Sequence, residues 1–167
     1  MFMMKITRHE EPTTTNGEPI KIGTIFPDFK LKNTQESFVQ NGDIFGNYTL
    51  ISFVPDINTR VCSISTKKFN QDVDKFPEIN FLTISTNSTE QQMDWCAAEG
   101  VKKMKLLSDE NGNLGKSMGI FVDDGAVDAR SIWILDSKGK VAYCELIVEQ
   151  TNEPNYQAAL DFLSQNS

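Results

Sequence analysis

The sequence predicts an α/β fold in which a central mixed sheet is flanked by helices, and three observations carry that reading. Residues 48–54 (Tyr-Thr-Leu-Ile-Ser-Phe-Val) and 79–85 (Ile-Asn-Phe-Leu-Thr-Ile-Ser) are apolar runs of strand length. Each is followed by a segment with helical spacing, 63–76 and 89–99. Near the C-terminus, residues 130–135 and 141–148 flank Asp136-Ser137-Lys138-Gly139, a turn that suits a β-hairpin.

The elements follow in order. Residues 5–18 are polar, with Pro12, Asn16 and Gly17, and read as a short hairpin or arm ahead of the core. This suggests an N-terminal arm over 1–18 and one domain over 19–167. Residues 20–31, with Phe26-Pro27-Asp28-Phe29-Lys30-Leu31, read as a strand with alternating apolar positions. Asn41-Gly42 and Phe45-Gly46-Asn47 are turn signals before the 48–54 strand. The helix over 63–76 is stopped by Pro77.

Ser88 and Gln91 form a capping box that opens the next helix, which Gly100 closes after Glu99. Cys96 lies on that helix in a stripe with Met93 and Ala97. A short strand is expected at 105–108 and a short helix after Asn111-Gly112. The last helix is expected to begin near Pro154, with Tyr156, Ala159, Leu160 and Leu163 on one face. Strand–helix–strand–helix, then a hairpin, then a helix is the order of a thioredoxin-like fold. No internal repeat or second domain is visible.

The composition narrows the function. With 39% hydrophobic and 23% charged residues, the 167-residue chain has the make-up of an ordinary globule with a real core. A formal charge of −7 argues against nucleic acid, whose phosphates require clustered Lys and Arg. No run approaches a membrane span, and Met1-Phe2-Met3-Met4-Lys5 is too short and too soon charged for a signal peptide. Three cysteines fit a reducing cytoplasm better than a disulfide scaffold. No Cys-x-x-Cys occurs, which disfavours both a thioredoxin-type oxidoreductase and a zinc site. The one histidine, His9, lies in the polar arm as an expected surface residue, so a Cys–His dyad has poor material. No cofactor and no metal is implied.

The stretch with the most chemistry is Pro55-Asp56-Ile57-Asn58-Thr59-Arg60-Val61-Cys62, which leaves a buried strand and enters a helix. Phe69, Val73 and Phe76 fall within about 40° of the direction of Cys62 on a helical wheel, so Cys62 is expected on the inward face of the first turn. There, unpaired backbone N–H groups and the positive end of the helix dipole favour negative charge on sulfur. Thr59 brings a hydroxyl to the same place. A lone cysteine on an apolar helical face more often serves as packing, and Cys144, which alternates with Ala142, Leu146 and Val148, is read that way. Trp95 and Trp133 are likewise read as packing groups.

Pro55-x-x-x-Thr59-x-x-Cys62 resembles the motif around the peroxidatic cysteine of the peroxiredoxins. The match extends over nearly the whole chain to the bacterial thiol peroxidases, an atypical two-cysteine subgroup. It continues through Lys68-Phe69-Asn70, Trp95-Cys96-Ala97-Ala98-Glu99-Gly100, Ala129-Arg130 and Glu149-x-x-x-Glu153-Pro154-Asn155-Tyr156. The resemblance implies that Cys62 is the peroxidatic cysteine and Cys96 the resolving one. Thr59 and Arg130 then complete the peroxide site, and Pro55 shields it. It also implies an intramolecular Cys62–Cys96 disulfide, hydroperoxide as substrate, thioredoxin as reductant and a homodimer. Asn87-Ser88-Thr89-Glu90 departs from the family's usual Asp-Leu-Pro-Phe, Arg60 stands where glycine is frequent, and Leu114 and Met118 stand where aromatics are usual. Two other readings use the same residues. A peroxide sensor would hand oxidation of Cys62 to a partner, and a structural protein of this fold would carry inert thiols.

Overall fold

The computed structural model describes residues 3–101 and 103–166. It opens with a hairpin of β1 (Lys5–Arg8) and β2 (Glu11–Thr14). Strands β3 (Lys30–Asn33) and β4 (Phe38–Gln40) form a second hairpin. The central alternation is β5 (Thr49–Phe53), α1 (Arg60–Asp72), β6 (Asn80–Ser85), α2 (Thr89–Glu99) and β7 (Lys105–Ser108). There follow α3 (Asn113–Met118), a small ribbon of β8 (Phe121–Val122) and β9 (Val127–Asp128), the hairpin β10 (Ser131–Leu135) and β11 (Val141–Leu146), and α4 (Tyr156–Asn166).

Seven strands form one sheet in the order β11-β10-β5-β6-β7-β3-β4. Strands β5, β6 and β7 are parallel, and the remaining pairings are antiparallel. The sheet is mixed and flanked by helices, as expected of a thioredoxin-like fold. Because β5, β6 and β7 step in one direction across the sheet, right-handed crossovers put α1 and α2 on the same face. Strand alternation then separates two cores. Leu50, Phe81, Leu106, Ile132 and Ile134 face α1, α2 and α4, where they meet Cys62, Phe69, Trp95, Ala159, Leu160 and Leu163. Ile51, Phe53, Leu82, Ile84, Trp133 and Leu135 face the opposite side, against Ile6, Phe26, Leu114 and Met118. Cys144 packs partly buried against this second cluster.

Several expected elements move. Over 20–31 the alternating strand does not form, and only Lys30–Asn33 joins the sheet. Phe26 and Phe29 are both buried and pack edge to face at 5.9 Å, which a period of two would have placed on opposite sides. Residues 23–26 bond instead to the turn and start of β11, with Gly23 N–H on the Val141 carbonyl and Phe26 N–H on the Gly139 carbonyl, and the Asn41 side chain takes over beyond them: its Oδ1 accepts from Phe29 N–H, and its Nδ2 donates to the Pro27 carbonyl.

Helix α1 starts at Arg60, three residues ahead of expectation, and runs into a single 3₁₀ turn at Val73–Lys75. On α2 the capping box at Ser88 and Gln91 is present, and Gly100 closes the helix in the left-handed region at φ 69°. Its buried face is Gln92 and Trp95, whereas Met93 and Ala97 face solvent and Cys96 is half-buried between these faces. Gln92 Nε2 donates to Ser85 Oγ at 3.1 Å and to the Leu107 carbonyl at 2.9 Å, tying the helix to two strands. Helix α4 begins at Tyr156 rather than at Pro154, because Asn155 Oδ1 caps it by accepting from Ala158 N–H at 3.0 Å.

Candidate active site

Strand β5 is followed by the buried Val54 and Pro55, and the chain turns through Asp56–Asn58 into α1. Asn87, just beyond β6, holds that turn: its Oδ1 accepts from Ile57 N–H at 2.9 Å and its Nδ2 donates to Asp56 Oδ1 at 3.0 Å. Thr59 has the extended backbone of an N-cap (φ −79°, ψ 156°), yet its side chain does not cap. The hydroxyl donates to the Asp56 carbonyl at 2.9 Å, and the first amides of α1 have no side-chain acceptor. Cys62 therefore sits in a first turn whose amide ends remain electropositive. Cys62 is wholly buried.

The decisive contact comes from across the sheet. Arg130, immediately before β10, points its Nη2 at Cys62 Sγ from 3.1 Å, although the two residues are 68 positions apart. Only 4% of Arg130 is exposed. Gln150 holds it at two points: its Oε1 accepts from Arg130 N–H at 2.6 Å and its carbonyl accepts from Arg130 Nε at 2.7 Å. Gln150 is itself fixed, because its Nε2 donates to the Ile147 carbonyl at 2.7 Å. Arg130 Nη1 is buried and meets no acceptor among the described residues. A charged guanidinium anchored by backbone contacts, with one N–H on a sulfur and another nitrogen unused, is a site prepared for an anion or a polar oxygen beside that sulfur.

In front of Arg130 lies a cavity of about 560 Å³, lined among others by Pro55, Thr59, Val61 and Gln150. The residues singled out in the sequence thus meet, with one exception. Pro55, Thr59, Cys62 and Arg130 share one corner, whereas Cys96 belongs to α2 and borders a separate groove of about 650 Å³ with Met93, Ala97 and Met104. Both cysteines pack in the same apolar cluster, and all three thiols are free. Burial raises the Cys96 thiol above its ordinary pKa and pushes that of Cys144 up to about 12, Glu145 adding to the latter. Trp95 links the two helices: its Nε1 donates to Ser63 Oγ, next to Cys62, at 3.3 Å.

Two features had no signal in the sequence. Nothing in a lone glutamine after Glu149 marks Gln150 as the anchor of an arginine twenty positions away. Nor does the polar arm announce that its turn reaches the cavity. His9 is exposed, as expected of a surface residue, but with Arg8 it forms part of the cavity wall.

Comparison with known proteins decides the family. Residues 22–144 match the family described as AhpC/TSA. The chain belongs to the AhpC/TSA family. It is 35% identical over 160 residues to a thiol peroxidase of Bacillus subtilis (strain 168), an alignment covering 95% of this chain and 96% of that one. A thiol peroxidase of Helicobacter pylori (strain ATCC 700392 / 26695) is 33% identical over 165 residues, covering 96% and 99%. Among solved structures, a peroxiredoxin-like protein from Aquifex aeolicus superposes with a TM-score of 0.91 at 25% identity, covering 99% of both chains. Within the AhpC/TSA frame, the corner between α1 and β10 is the part of this molecule where a sulfur and a fixed cation meet.

Proposed function

We propose that this protein is a thiol-dependent peroxidase in which Cys62 reduces hydroperoxides and Cys96 resolves the product. The single observation that carries the reading is the Arg130 Nη2–Cys62 Sγ contact at 3.1 Å. A guanidinium at that distance stabilises negative charge on sulfur, and its partnerless Nη1 is available to a peroxide oxygen. Thr59, on the same cavity wall, can turn its hydroxyl from Asp56 to the second oxygen. Holding O–O in line with sulfur is the contribution expected of these two groups, and Pro55 limits water on one side.

The Cys62 thiolate attacks the terminal oxygen of R–O–OH, so that an S–O bond forms as the O–O bond breaks. The alkoxide leaves with a proton as ROH, and Cys62 becomes a sulfenic acid. The Cys96 sulfur then displaces hydroxide from Cys62, releasing water and forming a disulfide. An external dithiol reduces that disulfide and is itself oxidised, so the sum is ROOH plus dithiol giving ROH, water and dithiol disulfide. We assign thioredoxin as the dithiol and a homodimer as the assembly on the strength of the resemblance. Three free thiols fit a reducing cytoplasm. No described helix is long and apolar enough to cross a membrane.

One equivalent of peroxide, followed by peptide mapping with mass spectrometry, tests the assignment. A Cys62–Cys96 crosslink, lost in Cys96→Ser while Cys62 still oxidises, is the expected result. A crosslink to Cys144, or oxidation that spares Cys62, contradicts it. Steady NADPH consumption with thioredoxin and its reductase separates an enzyme from a sensor that oxidises only once.

A further inference from the structure

The cavity before Arg130 is far larger than hydrogen peroxide requires. Its volume of about 560 Å³ falls among pockets that take organic ligands of ~300–1,000 Å³, whereas a water-sized molecule fills only ~30 Å³. Its charge also runs against that of the chain. The protein carries −7 overall, yet three arginines, Arg8, Arg60 and Arg130, line this cavity against one carboxylate, Asp56. Asp56 Oδ1 is already engaged by Asn58 N–H and Asn87 Nδ2, both at 3.0 Å. Arg8 and Arg60 have no ion-pair partner among the described residues.

The placement of Arg8 is built in. Residues His9 and Glu10 turn the β1–β2 hairpin through the left-handed region, at φ 49° and 71°. Thr7 Oγ1 and Glu10 N–H then donate to Glu149 Oε1 at 3.0 and 2.8 Å, and Gln150 N–H donates to the Thr7 carbonyl at 2.7 Å. The segment that fixes Arg130 thus also fixes the hairpin tip. Glu149 is taken up by these donors and by Thr151, whose hydroxyl contributes most to holding its carboxyl down at about 2. No ion pair joins it to Arg8 among the described residues. On the opposite wall Gly125, at φ +100°, leaves space that the Arg8 guanidinium occupies: a Cβ there would lie 3.2 Å from Arg8 Nη1.

We propose that Arg8 and Arg60 are specificity residues that select bulky hydroperoxides carrying a carboxylate, the acid held at the rim while the peroxide reaches Arg130 and Cys62. This rests on the peroxidase reading above and adds the substrate class. Unpaired guanidiniums at a cavity mouth recognise carboxylate by paired N–H donation and draw anions in from solution. The contact is screened by salt, because the rim is exposed.

The test compares cumene hydroperoxide with its para-carboxylate, two substrates of nearly equal shape that differ by one charge, in rapid-mixing measurements of Cys62 oxidation. The wild-type protein is expected to oxidise at least tenfold faster with the carboxylate at low salt, and the preference should shrink as salt rises. In the Arg8→Gln/Arg60→Gln double variant that rate ratio should fall to near one. A wild-type ratio near one, or a ratio that survives both substitutions, overturns the proposal. If neither compound oxidises Cys62, the peroxidase reading itself fails, which is a separate outcome.

Discussion

At the scale of single residues, the molecule invests buried polar groups where the chain must be held still. Arg130 and Gln150 are one instance, and Asp109 with Asp128 is another. Asp128 is wholly buried beside the Asp109 carboxyl, and no N–H donor reaches either of its oxygens. Asp109, in turn, accepts from Leu114 and Gly115 N–H at 3.0 and 2.9 Å. Gly115 permits the approach, since a Cβ there would lie 1.8 Å from Asp128 Oδ1. Burial first, and the Asp109 carboxyl second, push the Asp128 pKa up to about 10, so the facing pair retains one proton. The unfolded chain releases that proton near pH 4, as an unperturbed aspartate does. The folded state therefore holds one more proton from about pH 4 to about 10. This contribution is complete below pH 4 and is lost as pH rises through that window. Asp128→Asn supplies an amide donor with no proton to lose. Its melting temperature should fall less between pH 5 and 9 than that of the wild type, and parallel profiles would refute the shared-proton account. Neither this pair nor Gln150 was legible in the sequence, because a partner brought in by tertiary packing leaves no local pattern. Cys62 and Thr59 were legible because strand, turn and helix all adjoin them in sequence.

At the scale of elements, legibility followed the strength of local signals. The capping box of α2, the Gly100 stop and the β10–β11 turn are set by neighbours a few residues apart, and they appear where expected. Residues 20–29 misled because apolar residues near a proline mimic a strand. Their backbone is satisfied by distant partners, the Met118, Gly139 and Val141 carbonyls and the Asn41 side chain, which no window of that length includes. Element-scale mechanics also constrain the proposed cycle. Cys62 is fully buried in the first turn of α1 and Cys96 half-buried on α2, while a disulfide requires Cβ atoms about 4 Å apart. Closing the 34-residue separation, 62 to 96, restrains the unfolded chain by about 4 kcal/mol, enough to offset loss of a helical turn. Oxidation should accordingly raise amide hydrogen exchange in the first turn of α1 and around Cys96, with the β5–β6 core unchanged. Trp95 fluorescence should report the same event through its contact with Ser63. Equal protection of both helices in reduced and oxidised protein would exclude local unfolding as the route to the disulfide.

At the scale of the whole molecule, topology does what sequence proximity cannot. The sheet order places β10 beside β5, so the residue before β10 meets the helix that follows β5. The N-terminal hairpin and the 147–151 segment close the remaining sides, and one cavity results between pieces from both ends of the chain. The central claim is that this convergence, rather than Cys62 alone, makes the sulfur reactive toward hydroperoxides. Arg130→Met retains the bulk and removes the charge, and the second-order rate of Cys62 oxidation by a hydroperoxide at pH 7 is the measurement that tests it most directly. The rate in Arg130→Met should be at least 100-fold lower than in the wild type, with Cys62 still buried in a folded protein. Equal rates in the two proteins would contradict it.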